Sequence, residues 1–268
     1  MKRNFPTEFL YQVFALIISI IIVHAIYVTI VRPNATAILA EQTLRIQQEQ
    51  DYTPDRSFFV IIRDFEQESC FVLMLWAFSI MGYKTKQTLA ERNLLQRELI
   101  PVREGVRILP EDAREYARTI QALPERMRGM LLPRALLSSL ERFGSTRNVH
   151  DVSSVANTLC ESEGERLESE LSMIRYVAWA IPSVGFIGTV RGIGEALGQA
   201  HRAVDGDIAG VTQSLGTAFN STFIALLISI VVMFLVHQLQ LLQERLVFDS
   251  QTYIDHNLVR HMQTPGNA

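Results

Sequence analysis

Cysteine is nearly absent: Cys70 and Cys160 are the only two in 268 residues, too few for a disulfide framework, and neither stands at a metal-ligand spacing. Charge is scarce as well. Asp, Glu, Lys and Arg make up 20% of the chain against 48% hydrophobic residues, and the mean hydropathy is +0.15. A soluble domain of this size needs a more charged surface, so the average reads as very apolar stretches mixed with ordinary polar ones. Nor is there an excess of positive charge. The 25 basic residues face 28 acidic ones, a net of −3, which excludes a nucleic-acid binder built on bulk charge. Nine prolines and fourteen glycines exclude collagen-like or low-complexity sequence. No nucleophile-and-base constellation is visible, so an enzyme of the hydrolase or transferase kind is not expected, and no cofactor is implied. His24 and His237 lie on separate apolar segments with no nearby Cys or carboxylate in sequence, so no metal site is expected. What is left is an integral membrane protein with a sizeable polar part.

The expected architecture is all-α: four transmembrane helices, a helical cytoplasmic region between the second and third, and long helices extending into the cytoplasm. Residues 9–31 are 23 uncharged residues interrupted only by Gln12, Ser19, His24 and Thr29. At about 1.5 Å per residue they reach roughly 34 Å, enough for a tilted span. Residues 1–8, with Lys2 and Arg3, form a cytoplasmic N-terminus, and 32–68 an outer loop leading into a long helix. That helix is expected from about Asp55 to beyond Leu99, with only residues 69–83 in hydrocarbon and the charged turn 63–68 at the outer interface. Residues 84–172 are polar, hold fourteen of the basic residues, and are cut into short helices by Pro101, Pro110, Pro124 and Pro133. This charge bias favours a cytoplasmic placement for them, although residues 32–57 also carry three arginines, and four spans then put both termini inside. Residues 173–237 form a hairpin of two spans, 176–200 and 211–237, with Asp205-Gly206-Asp207 at the tip. The tail, 238–268, continues as an amphipathic helix with Leu239, Leu242 and Leu246 on one side.

The hairpin carries the chemistry. Pro182 should start or kink its helix, the lost hydrogen bond being made up by neighbours. Gly185, Gly188 and Gly192 are candidate packing residues, small enough for close approach of another helix; Gly194 and Gly198 have the same spacing. Thr189 lies 14 residues from Arg175, and Thr222 lies 15 from His237. By helix rise both hydroxyls then sit about 21–22 Å from the inner end, at one depth in antiparallel helices. Ala218, Ala225 and Ser229 share a face with Thr222, giving a stripe of small and hydroxyl side chains. Thr189, Thr222, Ala218 and Ser229 are therefore candidate ion-pathway residues. The competing reading is that such hydroxyls only bond the carbonyl of the preceding turn. Neither span carries a carboxylate near mid-depth, and a hydroxyl does not titrate near neutral pH, so an ion-driven machine would need its acid from another chain. Arg191 and Glu195 are four apart and can pair.

The stretch 182–193, Pro-Ser-Val-Gly-Phe-Ile-Gly-Thr-Val-Arg-Gly-Ile, resembles the Gly-Thr-Val-x-Gly-Ile signature of the MotA/TolQ/ExbB proton-channel proteins. Residues 215–230, with Ala218, Ser221-Thr222 and Leu226, are similar to that family's following pore helix. The four-span layout resembles the flagellar-stator arrangement more than the three-span one. The resemblance implies a homopentamer around a dimer of a single-span partner of the MotB/TolR/ExbD type. That partner's aspartate takes up the ion, a proton or sodium, and faces Thr189 and Thr222 while ion flow turns the ring. Two places depart from the pattern. Thr217 stands where TolQ and ExbB have a glutamate, and Arg191 where those relatives usually have tryptophan. Against this rotary channel stands a membrane scaffold that recruits cytoplasmic partners without ion flow. A lone secondary transporter is disfavoured by the absence of inverted repeats.

Overall fold

The computed structural model describes residues 7–48, 57–100, 107–204, 206 and 208–263; Lys2, Arg3, Asp55, Pro101, Asp205 and Asp207 lie outside them. Among these residues the chain is helical and contains no strand, only an isolated bridge between Ile108 and Met262. In order the elements are α1 (Thr7–Ile26), a π turn (Tyr27–Val31), α2 (Arg32–Gln48), α3 (Phe58–Ile61), α4 (Phe65–Arg92), α5 (Ala113–Gln121), α6 (Glu125–Arg128) and α7 (Leu131–Thr146). They continue with α8 (Val149–Glu170), α9 (Ser172–Gly198), α10 (Ala200–Val204), α11 (Ala209–Asn257) and a 3-10 turn (Val259–His261). Two compact units divide the chain: residues 1–82 with 173–236, and residues 83–172 with 237–268.

Three helical stretches of the described residues are long and apolar enough to cross a membrane: Glu8–Arg45, Val149–Gly198 and Ala209–His261. The apolar run 69–83 within α4 is not among them, because Glu68 and Lys84 crowd its ends. In the first unit α1 buries Ala15, Ser19, Val23 and Tyr27, and the stripe continues through Val31 to Ala35, one residue in four. Its other face leaves Phe9, Phe14, Ile17, Ile18 and Ile21 exposed, the distribution of a helix sided toward lipid. Trp76 Nε1 donates to the Gln12 carbonyl at 2.9 Å, Tyr11 and Ser79 hydroxyls meet at 3.0 Å, and the Tyr27 and Phe71 rings lie 6.4 Å apart, so α4 runs along α1.

Two expectations are corrected here. The outer loop begins as helix, since α2 continues α1 through the π turn instead of leaving it. The long helix expected from about Asp55 to beyond Leu99 is broken. α3 ends at Ile61, α4 begins only at Phe65, and it stops at Arg92. At the break Gln67 Nε2 donates to the Ile61 carbonyl at 3.1 Å, so that acceptor is satisfied outside a continuing helix.

The second unit closes around α7. Leu131, Leu132, Leu136, Leu140 and Phe143 recur at three- and four-residue steps, and they bury against Ile108, Ile120, Val152, Ile254 and Leu258. Pro133 sits in the first turn of α7, where a missing N–H costs nothing. Arg147 ends the helix in the left-handed region, φ 53°, and Asn148 then caps α8 by accepting the His150 N–H at 2.9 Å. Cys160 lies inside this core, and burial pushes its thiol up to about 11, leaving it an inert small hydrophobe. Around the core lies an ionic belt. Buried Lys84 reaches Glu170 at 2.7 Å, Glu163 takes Arg134 at 2.6 Å and also Arg166, and Glu91 accepts the Leu131 N–H at 3.1 Å.

Truncating Phe143 to Ala removes the largest fully buried side chain, and it is expected to cost about 3–5 kcal/mol in thermal unfolding of the purified chain. Phe248→Ala, at a ring 68% exposed, should be near neutral; equal effects would refute this account of the core. Burial holds the Glu91 carboxyl above the ordinary carboxylate range, against the pull of the Leu131 N–H and of Arg166 and Arg134. Such a group binds its proton more tightly folded than unfolded, so its contribution favours the fold at low pH and is lost as pH rises through the folded value. Glu91→Gln keeps an acceptor for Leu131, and it is expected to melt higher than the parent at pH 7 with the difference shrinking toward pH 4. A constant difference across that range would contradict the burial argument.

Candidate functional site

The site is built on the contact between α9 and the first part of α11. A Cβ placed on Gly185 would lie 2.4 Å from the Ala225 Cβ, one on Gly188 2.5 Å from the Ser221 Cβ, and one on Gly192 2.8 Å from the Ala218 Cβ. Positions ascend on α9 as they descend on α11, so the two helices are antiparallel. No side chain larger than hydrogen fits at any of the three glycines without parting the helices. Gly194 and Gly198 differ: a Cβ there meets nothing within 4 Å.

This approach brings polar groups into reach. Pro182 sits inside α9 and has no N–H, so the Ala178 carbonyl four residues earlier loses its helical donor. Ser229 of α11 supplies the replacement, its hydroxyl donating to that carbonyl at 3.3 Å. Ser229, expected along an ion route, is thus engaged in repairing the proline's turn. Ala218, expected on the same route, is fully buried against Gly192.

Thr189 and Thr222 come together, as their matched depths require. Their hydroxyls are hydrogen-bonded to each other across the two helices. The Gly185 carbonyl accepts from Thr222 at 3.3 Å and lies 3.4 Å from the Thr189 hydroxyl, which is also 3.1 Å from the Ala218 carbonyl. Each hydroxyl has one proton, so while one donates to the other only the second is left to donate to a carbonyl, and carbonyl bonding and the cross-helix pair share the same two protons. Both residues stay half-buried. Chemically, two coupled hydroxyls accept and donate a proton to a visiting group without ionising themselves.

What sequence reasoning missed is the first turn of α4. Glu66 grips Arg191 with both oxygens, at 2.7 Å from Nε and 2.9 Å from the second guanidinium nitrogen, across 125 residues of chain. The expected Arg191–Glu195 contact exists at 3.1 Å, but it is the more exposed and weaker of the two. The Glu66 Cγ lies 3.1 Å from the Cβ position of Gly188, one residue before Thr189. Gln67 is fully buried beside it, and its Nε2 lies 3.3 Å from the Ser221 hydroxyl, next to Thr222. A neighbouring cluster joins Glu68 to His24 at 2.7 Å and to Arg32, whose guanidinium lies 4.5 Å from the centre of the Phe65 ring. His24 therefore has a carboxylate companion, supplied by another helix. The signal for all this was present in the acidic turn placed directly before an apolar run. Its pairing partner could not be read from spacing. No cluster of three or more His, Cys, Asp or Glu able to hold a metal exists among the described residues.

The family model described as the MotA/TolQ/ExbB proton channel family matches residues 131–251. The matched residues are under half of the 268, and over them the chain is similar to that family. The match takes in α7 and α8 as well as the hairpin, a wider span than the residues carrying the resemblance in sequence. No curated protein and no solved structure matches the chain. The match together with three membrane-length apolar stretches supports a multi-pass membrane protein of ion-channel type, the matched family being one of proton channels. Glu66, Gln67 and α1 lie outside the matched residues.

Gly185→Ala is expected to lower the stability of the hairpin by about 1–3 kcal/mol, since the new methyl must displace Ala225. Gly194→Ala adds its methyl in open space and should be neutral or stabilising by about 0.5–1 kcal/mol through helix propensity. Thermal unfolding of the full chain in detergent distinguishes them, and equal shifts would contradict the close contact described.

Proposed function

We propose that the chain is the inner-membrane ion-channel subunit of a proton-motive-force-driven rotary motor. In this reading five copies surround a dimer of a single-span partner whose membrane aspartate carries the proton. The observation that carries it is the Thr189–Thr222 hydroxyl pair, held on a glycine contact inside the family-matched segment by residues that stay half-buried. A hydroxyl pair donates to a carboxylate and accepts from a carboxylic acid, so it suits an aspartate that alternates between the two forms. Thr189 and Thr222 are then the ion-path residues, Ala218 and Ser229 flank them within the hairpin, and Gly185, Gly188 and Gly192 set the helix spacing around Pro182.

The proposed topology has four spans with both termini cytoplasmic. The second is the middle of α4, residues 69–83. Its 15 residues reach only about 22 Å, short for a bilayer. The glutamates of the acidic turn that precedes it are paired with Arg191 and Arg32, which lowers the cost of lodging that turn near the hydrocarbon and favours α4 as a span. The scaffold reading requires no such hydroxyl pair.

Native mass spectrometry of the detergent-purified chain is expected to give five copies. Thr222→Val should keep that assembly while abolishing proton influx in cells that also make the partner, read as cytoplasmic acidification. A stable monomer or dimer, or unchanged influx in the variant, would overturn the channel reading in favour of a scaffold.

A further inference from the structure

The charges around α4's first turn divide cleanly. Asp64 has Arg63 at 3.6 Å, and Glu68 has Arg32 and His24. What remains beside the hydroxyl pair is Glu66, Arg191 and Glu195, two negative charges and one positive. Arg191 stands two residues beyond Thr189 on the same helix, and its guanidinium is the cation nearest in sequence to the hydroxyls. Its main partner is Glu66. That side chain is 11% exposed and fixes two guanidinium nitrogens in a planar fork, whereas Glu195 is 46% exposed and meets only one. Glu66 is itself fixed from below by Gly188, where no Cβ fits, and by buried Gln67 on Ser221.

We infer that Glu66 is a positioning residue for the ion route. Its carboxylate holds the Arg191 guanidinium, which at two residues from Thr189 projects from a different face of α9, and it keeps the local net charge at −1, so that a cation passing the pair meets an attractive field. This inference rests on the channel reading. Charged side chains beside a pore set cation access in this way, and the effect grows as the dielectric falls. The charge count orders the variants. Glu66→Gln leaves a local net charge of 0 and a guanidinium held only by exposed Glu195. Arg191→Gln leaves −2. The double variant returns to −1. Glu66→Asp keeps −1 with a shorter reach.

The test places these four variants, with Thr222→Val as control, in the chromosome of cells that make the chain together with its partner, and records cytoplasmic acidification. Native mass spectrometry counts subunits for each. The expected order of influx is Arg191→Gln at or above the parent, the double variant close to the parent, Glu66→Asp retaining most of it, and Glu66→Gln lowest by about tenfold. A merely structural ion pair predicts something else: both single variants fall equally and the double does not recover. That result overturns the inference, as does a Glu66→Gln chain that no longer assembles. Unchanged influx in Thr222→Val overturns the channel reading instead, so the two failures are told apart within one assay.

Discussion

The contact between Gly185, Gly188 and Gly192 of α9 and Ala225, Ser221 and Ala218 of α11 is the constraint on which the site depends. In a bilayer, apolar burial does not drive helices together, because lipid tails are as apolar as leucine; backbone approach and interhelical hydrogen bonds must hold them. The glycines provide the first and make the second possible. The Thr222 hydroxyl reaches the Gly185 carbonyl at 3.3 Å, and Thr189 reaches Ala218 at 3.1 Å, because no side chain separates the two backbones. The same proximity offers Ser229 to the Ala178 carbonyl that Pro182 leaves without a donor, so a helix with an internal proline keeps its acceptors satisfied.

A second consequence lies on the other side of Gly188. The position is bare enough to admit the Glu66 side chain as well as Ser221, so one glycine sets both the helix contact and the seat of the ion pair. Gln67 extends the connection: its amide spans the Ile61 carbonyl and the Ser221 hydroxyl, joining the end of α3 to α11. Ending α3 at Ile61 and restarting at Phe65 is therefore part of how the acidic turn reaches the hairpin. A helix continuous through residues 62–64 would leave the Ile61 carbonyl bonded within the helix and unavailable to Gln67.

How much of this was legible in sequence follows from the range of each interaction. The hairpin was readable because its cues are local: small residues four apart, and two threonines at equal helix rise from basic or histidine ends. The periodicity that put Ala218, Ser229 and Thr222 on one stripe was equally sound, yet a stripe does not reveal which of its members a neighbouring helix covers. Ala218 is covered by Gly192, and Ser229 is drawn to a carbonyl that exists as a free acceptor only because of Pro182. The Glu66–Arg191 pair was beyond reach. It joins positions 125 residues apart, and nothing in the local pattern distinguishes Glu66 from Glu68, which pairs with Arg32 instead. The helical start of the expected outer loop was hidden for a related reason. Residues 32–48 are polar enough to read as loop, yet they continue from α1 through the π turn as helix, with the Glu41–Arg45 pair one turn apart on it.

The placement of Arg191 bears on why the acid of the proposed machine belongs on a separate chain. A guanidinium near the hydroxyls is a strong competitor for any carboxylate that visits them, since a bidentate ion pair in a low-dielectric site outlasts a hydroxyl–carboxylate hydrogen bond. A partner aspartate must bind and leave on every cycle. Two features keep Arg191 from that competition: its two-residue spacing from Thr189 turns it to another face of α9, and Glu66 occupies its fork. The visiting carboxylate then finds hydroxyls, which hold it weakly enough to release and exchange its proton without themselves ionising. The same permanent carboxylate, counted with Glu195 against the one guanidinium, leaves the surroundings net negative, so the group that occupies the competing cation also belongs to the field that draws a cation.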